Sequence, residues 1–225
     1  MRNTILFVLG IAAIVILGID IYRIAGLPDE RNQGAIFKII FFHVPLAITA
    51  FGCATVAFVS SILFLVKKNF KYDAIAVSVT EVGLAFLAGN LITGSIWARI
   101  IWGVWWVWDV RLTSALVCWI LYASYLMIRH AVEEPTQRAR LAAVVSIFAF
   151  IDVPIVYFSI RLFRTQHPGP VFFSSSGSFP PDWSLILLFN LIALYMLGAV
   201  FSMIRLNQED AQREIDSLRR EAHAF

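Results

Sequence analysis

Long apolar runs alternate with short polar segments along the whole chain of 225 residues. Six of these runs hold about 20 residues each, which is the length that an α-helix needs to cross a hydrocarbon layer about 30 Å thick. The pattern therefore predicts an all-α, polytopic integral membrane protein with about six transmembrane helices, organised as a single membrane domain over residues 1–225. The predicted spans are 4–22, 45–66, 74–96, 112–128, 141–160 and 183–204.

The composition supports this class and excludes others. The chain is 60% hydrophobic and 15% charged, with a mean hydropathy of +0.78, whereas a soluble domain is about half apolar and a quarter charged. A lipid bilayer is therefore the expected surrounding. The net charge of +3 comes without a basic stripe, so no nucleic acid partner is expected. Cys53 and Cys118 lie inside apolar runs without a CxxC or CxxCH motif, and both are interpreted as buried core residues.

Basic residues set the expected orientation. The loops after the second and fourth spans, and the tail over residues 205–225, hold more lysine and arginine than the segments on the other side. Because such loops stay in the cytoplasm, both termini are predicted to be cytoplasmic. This orientation places His43, the tryptophan-rich segment 97–113 and His167 on the outer face, and His130 and His223 on the cytoplasmic face.

Two polar segments on the predicted cytoplasmic side are interpreted from their charges. Glu133 and Glu134 read as residues of a solvated loop. The charged tail is predicted to be helical because opposite charges stand four residues apart, in the pairs Glu209/Arg213 and Asp216/Arg220.

The segment from Trp102 to Thr113 is the most informative part of the sequence, because four of its twelve residues are tryptophan. Tryptophan favours the membrane interface, so an interfacial belt is one interpretation. A flat aromatic wall on which a large planar ligand stacks is the other. If the segment is helical, Trp102, Trp105 and Asp109 share one face. Asp109 and Arg111 would then anchor the edge of the ligand or fix the loop.

Two histidines flank this segment in the sequence. His43 precedes Pro45, which is predicted to stand in the first turn of the second span, and His167 lies before Pro168 in the longest outer loop. Two imidazoles on opposite sides of an aromatic wall suit six-coordinate haem iron. Zinc and copper also bind imidazole, but the sequence offers no obvious further ligands for a bare ion. The arginines near this face are candidate partners for anionic haem propionates, or for lipid phosphate: Arg99, Arg111, Arg161 and Arg164.

These segments resemble a known family. Residues 102–114 look like the tryptophan-rich WWD signature of haem-handling membrane proteins in cytochrome c assembly, and the segments 42–45, 150–155 and 164–170 match the same family. The resemblance covers nearly the whole chain. In length and in its six spans the chain is similar to the smaller, haem-delivering branch, which is the CcmC or haem exporter protein C family.

The resemblance implies a function in haem transport for cytochrome c-type biogenesis, within a membrane protein complex of the bacterial inner membrane. Proteins of this kind present non-covalent, b-type haem as transient cargo on the periplasmic face and deliver it to the haem chaperone CcmE. The implied partners include the ABC transporter CcmA/CcmB and the small membrane protein CcmD. The implied axial ligands to the haem iron are His43 and His167. The implied binding surface consists of Trp102, Trp105, Trp106, Trp108, Asp109 and Arg111, with Gly103 and Thr113 as supporting motif residues.

Two other functions stay open. A b-type electron-transfer subunit would hold haem at mid-span, whereas the candidate ligands here lie at the predicted rim of the membrane. A haem transporter would be expected to contain a polar path or broken helices, and Pro154 is the only obvious internal helix breaker in the sequence. The sequence contains no evident nucleophile–base pair, phosphate loop or acid pair, so an enzyme is not predicted.

A few polar residues fall within or near the predicted spans. Asp20, Glu81 and Asp152 are expected to lie near an interface or to face the helix bundle, because a charge at mid-bilayer costs roughly 2.5–3.5 kcal/mol. Asn90 and Asn190 are expected to join helices through hydrogen bonds.

Overall fold

The computed structural model describes residues 2–167 and 180–222. Within these residues the fold is all-α and contains no β-strand, which confirms the predicted fold class. Six helical stretches are long and apolar enough to cross a membrane, one for each predicted apolar run. The elements are α1 (Arg2–Ala25), a 3₁₀ turn (Ala35–Ile39), α2 (Ile40–Lys67), α3 (Phe70–Trp102), α4 (Val110–Ala131), α5 (Pro135–Phe150), α6 (Asp152–Leu162) and α7 (Pro181–Ala222).

Helix α2 packs along α3 and also contacts α5 and α7. Small residues permit this close approach, because a side-chain carbon placed on Gly83 of α3 would lie only 2.7 Å from the Cβ atom of Cys53 in α2. Cys53 and Cys118 are both buried, as the sequence predicts. Large apolar side chains such as Phe7, Val66 and Met127 are exposed on the helix surfaces, which is the arrangement expected of faces that contact lipid.

Three helices begin at a side chain that accepts a backbone N–H group, as expected for an N-cap. Asn69 accepts from Lys71 (2.9 Å), Asp109 from Leu112 (2.9 Å) and Glu134 from Thr136 (2.8 Å). Glu134 is exposed, in agreement with the loop interpretation, but it also caps α5. The backbone N–H groups of Thr136 and Gln137 lower the pKa of its carboxyl group.

The start of α2 differs from the prediction. Pro45 does not stand in the first turn; the helix begins at Ile40, and His43 lies inside the helix instead of before it. The reason is that the 3₁₀ turn runs directly into α2 and supplies its entry. Pro45 then lies in the second turn, where its missing N–H group leaves the carbonyl of Phe41 without its usual helical donor. The segment 34–42 is therefore an entering turn of the second span.

The tryptophan-rich segment is helical only in its first part. Helix α3 extends to Trp102 and ends at Gly103, which adopts a φ of 76°, a conformation that glycine adopts without strain. The chain is not helical again until α4 begins at Val110. The condition under which Trp102, Trp105 and Asp109 would share a helical face is therefore not met.

The fifth and sixth spans also differ from simple apolar runs. The fifth span consists of α5 and α6, which are separated at Ile151, three residues before Pro154. The last span and the predicted helical tail form one helix of 42 residues. Within it Arg213 pairs with Glu209 at 2.7 Å, as predicted. His223 lies outside the described residues.

The polar residues of the spans mostly face the bundle, as predicted. Asp20 is 1% exposed and lies 3.6 Å from Arg23, Glu81 pairs with Arg205, and Asp152 is 9% exposed. Asn90 joins two helices, since its Nδ2 donates to the carbonyl of His43 at 2.9 Å. For Asn190 the predicted hydrogen bond is not found; its side chain is fully buried and has no partner among the described residues.

A buried ionic network joins α3, α4 and α7. Asp73 accepts from Arg129 at 2.6 Å and from Arg213 at 2.6 Å. Asp73 is 4% exposed and Arg129 is 8% exposed. Asp73 precedes Asn90 by 17 residues of the same helix, which is about 25 Å along its axis. The network therefore lies far from the tryptophan-rich segment.

Candidate functional site

A cavity of about 290 Å³ opens among α2, α3, α4 and the residues that follow α6. Its volume is close to the lower end of the range of small-molecule sites, about 300–1,000 Å³. Aliphatic and aromatic side chains form most of the wall. The polar and aromatic residues that line it are Gln33, His43, Phe51, Asn90, Trp97, Trp102, Trp106, Arg111, Gln166 and His167.

One face of α3 holds the imidazole of His43. Asn90, Thr93, Gly94 and Trp97 stand at positions i, i+3, i+4 and i+7, so they face the same side of the helix. Thr93 Oγ1 lies 3.0 Å from His43 Nδ1, and the Trp97 ring meets the imidazole edge-on with centroids 5.8 Å apart. A side-chain carbon on Gly94 would lie 3.0 Å from His43 Cε1. Glycine at this position therefore leaves room for the ring.

His167 lies beside His43 in the structure. The centroids of the two imidazole rings are 6.3 Å apart, and their planes differ by 33°. His43 is 8% exposed and is carried by a helix, whereas His167 is half-buried and lies beyond the end of α6. The neighbouring Pro168, Gly169 and Pro170, part of the segment that carries the resemblance, lie outside the described residues.

Asp109 links the tryptophan-rich segment to the segment of His167. Its Oδ1 accepts the N–H of Leu112 at 2.9 Å and caps α4, while its Oδ2 accepts the N–H of Gln166 at 3.1 Å. Arg111 donates to the carbonyl of Val156 in α6. The sequence left two alternatives for Asp109 and Arg111, which are to anchor the edge of a ligand or to fix the loop. In the structure both side chains bond to the backbone and fix chain segments, and Arg111 also lines the cavity.

The four tryptophans of the motif divide into two pairs. Trp102 and Trp106 line the cavity. Trp105 and Trp108 are 60% and 77% exposed and do not line it. The guanidinium of Arg99 lies 5.9 Å from the centroid of the Trp105 ring. The division follows from the end of α3 at Gly103, after which the chain turns away from helical geometry.

The indole nitrogen of Trp106 is buried and has no hydrogen-bond partner among the described residues. A buried N–H donor without an acceptor costs about 1–3 kcal/mol. Because Trp106 lines the cavity, a ligand that brings an acceptor oxygen would satisfy this donor.

Thr93, Gly94 and Gln33 are residues of the site that the sequence does not single out, and Asn90 is expected from the sequence only to join helices. The spacing of Asn90, Thr93, Gly94 and Trp97 is a helical pattern that carries the necessary signal. Gln33 has no such signal, because the residue it bonds is remote in sequence: Trp97 Nε1 donates to Gln33 Oε1 at 2.7 Å. That bond holds the loop before α2 against the cavity.

The family model described as heme exporter protein C matches residues 1–221. The chain belongs to the heme exporter protein C family. A heme exporter protein C of Bradyrhizobium diazoefficiens is 34% identical over 211 residues, which span 93% of this chain and 80% of the relative. That of Haemophilus influenzae is 31% identical, over 89% of this chain and 84% of the relative. That of Escherichia coli (strain K12) is 29% identical, over 88% of this chain and 80% of the relative. These relatives of the heme exporter protein C family thus cover most of the chain.

Proposed function

We propose that this protein binds haem between His43 and His167, presents it on the periplasmic face of the bacterial inner membrane, and delivers it to a haem chaperone of the CcmE type during cytochrome c maturation. Membership of the heme exporter protein C family supports the general role in haem handling for cytochrome c biogenesis. The residue assignments rest on the geometry of the cavity.

The observation that carries the proposal is the spacing of the two imidazoles. A metal–imidazole bond of about 2 Å, with roughly 1.1 Å from the nitrogen to the ring centre, separates the centroids of two trans imidazoles by about 6 Å. The observed separation is 6.3 Å. The rings of His43 and His167 are therefore spaced to accept one iron atom between them, as in bis-histidine haem.

The walls of the cavity suit the rest of a haem. Trp102 and Trp106 supply aromatic surface for a porphyrin plane. The buried N–H of Trp106 and the guanidinium of Arg111 are donors for an anionic group such as a propionate. A bare zinc or copper ion is less well served, because no group of three or more His, Cys, Asp or Glu residues that could hold a metal ion occurs among residues 2–167 and 180–222.

The different positions of the two ligands suit delivery, since His43 lies within a helix and His167 beyond the end of one. Three residues of α3 contact His43, namely Asn90, Thr93 and Trp97. His167 lies beyond the end of α6, where the N–H of its neighbour Gln166 donates to Asp109. We infer that His167 is the ligand that a histidine of the chaperone displaces. The exposed rings of Trp105 and Trp108 offer a docking surface next to that exchange. The ABC transporter CcmA/CcmB and the small protein CcmD are the further partners that this function requires.

Haem transport across the bilayer is the second candidate, and one observation favours it. The fifth span is interrupted at Ile151, and Val156 of α6 lines the cavity. This observation favours transport because broken helices at membrane depth are typical of transporters. Reconstituted vesicles that enclose a haem-binding reporter separate the two functions. Haem that reaches the reporter without a chaperone would favour transport, and haem that leaves only to added CcmE would favour delivery.

The proposed function is tested by titrating the purified protein with haem in lipid nanodiscs. The expected result is one haem per chain with the absorption spectrum of six-coordinate, low-spin iron. His130→Ala is the control, because His130 lies at the far end of α4 and its loss should leave the spectrum unchanged. A protein that leaves haem in the lipid, but takes up zinc or copper, would overturn the proposal.

Replacing Trp106 by phenylalanine should weaken haem binding by roughly tenfold, because the ring remains while a charge-assisted hydrogen bond to the ligand is lost. The dissociation constant from the same titration is the measurement. Trp108→Phe is the matched control, since this ring is exposed and does not line the cavity. Equal dissociation constants for Trp106→Phe and Trp108→Phe would rule out a ligand bond from the Trp106 indole.

A further inference from the structure

The hydroxyl group of Thr93 has three neighbours within hydrogen-bond distance. Its Oγ1 lies 2.8 Å from the carbonyl oxygen of Gly89, 3.0 Å from that of Asn90, and 3.0 Å from His43 Nδ1. A threonine hydroxyl carries one proton to donate and two lone pairs that accept. The two carbonyl oxygens can only accept, whereas the imidazole nitrogen either donates or accepts according to its tautomer.

The number of hydrogen bonds that can form decides which atom is the donor in the contact between Thr93 and His43. If Thr93 donated to His43 Nδ1, neither carbonyl would receive a proton from the hydroxyl. If Thr93 donates to the carbonyl of Gly89, as threonine commonly does one turn back in a helix, its oxygen is free to accept the proton of Nδ1–H. The second arrangement makes two hydrogen bonds and the first makes one, so the second is favoured.

The position of Asn90 agrees with this arrangement. Its Nδ2 donates to the carbonyl oxygen of His43 at 2.9 Å. The same nitrogen lies 3.2 Å from Nδ1 and 3.4 Å from Nε2 of the ring. Similar distances to both ring nitrogens place the amide off the axis of either lone pair. Asn90 therefore fixes the ring in place without competing for the proton on Nδ1.

The two nitrogens of the His43 ring differ in how closely α3 approaches them. Nδ1 is nearer than Nε2 both to Asn90 Nδ2 and to a side-chain carbon placed on Gly94, for which the distances are 3.6 and 3.9 Å. Nδ1 is also the nitrogen that Thr93 contacts. Nε2 thus lies slightly farther than Nδ1 from this face of α3.

We propose that Thr93 is a positioning residue, which holds His43 in the tautomer with the proton on Nδ1 and leaves the lone pair of Nε2 to bind iron. This inference rests on the proposed function for its consequence, because a histidine that donates its second nitrogen to a neighbour is oriented and made more basic as a metal ligand. Loss of such a partner typically lowers metal affinity 10–100-fold. Thr93 would thereby make His43 the stronger of the two ligands, in keeping with release at His167.

The first test needs no haem. Ring nitrogens are labelled with ¹⁵N in the haem-free protein, and the His43 signal is assigned by its absence in His43→Ala. Above the usual titration range of imidazole, the wild type should show a protonated Nδ1. Thr93→Ser keeps a hydroxyl and should keep this tautomer, whereas Thr93→Val removes the acceptor at nearly constant volume and should give a mixture of tautomers or a protonated Nε2.

The second test measures haem in the same variants. Thr93→Val should raise the haem dissociation constant by about tenfold and raise the reduction potential of the iron, because a less basic imidazole stabilises the ferric state less. Thr93→Ser should stay within about twofold of the wild type. Thr80→Val is the control for the general effect of this change, since Thr80 lies on the same helix, is 3% exposed, and its hydroxyl has no partner among the described residues.

The outcomes separate this inference from the proposed function. A wild type with its proton on Nε2, or a Thr93→Val variant with unchanged tautomer, affinity and potential, would overturn the role of Thr93. A shift of all three by Thr93→Val and not by Thr80→Val supports it. If the wild type fails to bind haem, the proposed function fails, and the tautomer in the haem-free protein still decides whether Thr93 fixes the ring.

Discussion

Replacing His43 by alanine should lower haem affinity by more than about a hundredfold, beyond the roughly 10–100-fold that follows the loss of an outer partner of a metal ligand. The change removes a proposed axial ligand, and it also leaves Thr93 without the ring that it contacts. His167→Ala should produce five-coordinate, high-spin haem with a smaller loss of affinity, because the buried His43 remains in place.

The absorption spectrum and the dissociation constant measure both effects. The variant that lacks both histidines should not retain haem, and added imidazole should restore a low-spin spectrum to His167→Ala by occupying the vacated position. His130→Ala again serves as the control. An unchanged low-spin spectrum in the double variant would move the haem to a different site, and equal losses in the two single variants would contradict the inferred division between a firm and an exchangeable ligand.

The six spans are predictable from the sequence because apolar length alone selects a membrane helix. Their ends are less predictable, since they depend on how neighbouring segments meet. A 3₁₀ turn that enters α2 draws His43 into the helix, although Pro45 is a reasonable marker of a first turn. The break at Ile151 lies close to Pro154. The sequence therefore indicated a helix breaker in this span, but not that the span divides into two helices.

The tryptophan-rich segment illustrates the limit of periodicity. Trp105 and Asp109 stand at a helical spacing from Trp102. The helix nevertheless ends at Trp102, because Gly103 terminates it. Glycine directly after a helix is a recognised termination signal. The helix-terminating glycine predicts that the four rings do not form one helical wall, whereas the 3.6-residue period predicts that they do.

The histidine pair shows what the resemblance to a family adds. The predicted orientation places His43 and His167 on the same face of the membrane, and the motif around each residue implies that both are ligands. In the structure their rings are neighbours. The supporting residues were accessible from the sequence only in part, because Asn90 was expected to join two helices and does so, while the contact of Thr93 with the ring depends on the rotation of α2 against α3.

Removing Asp73 should have the largest effect on stability. Asp73→Ala leaves Arg129, which is 8% exposed, with Glu209 at 3.8 Å as its closest remaining ionic partner in the network. Breaking a buried ion pair by removing one member costs about 3–5 kcal/mol, because the other charge stays buried without compensation. The free energy of unfolding, measured in mixed micelles, should therefore fall by about this amount in Asp73→Ala.

Asp216→Ala is the matched control for the ionic network. Asp216 has a side chain 40% exposed and pairs with the exposed Arg219 at 3.8 Å, and such surface pairs contribute only about 0–1 kcal/mol.

Combining Asp73→Leu with Arg129→Met should recover much of the lost stability, since an apolar pair of similar size removes the uncompensated charge. Haem affinity should change little in Asp73→Ala, because the network and the cavity lie about 25 Å apart along α3. Equal stability of Asp73→Ala and Asp216→Ala would mean that the network does not hold α3, α4 and α7 together, and a parallel loss of haem binding would mean that the two ends of the bundle are coupled.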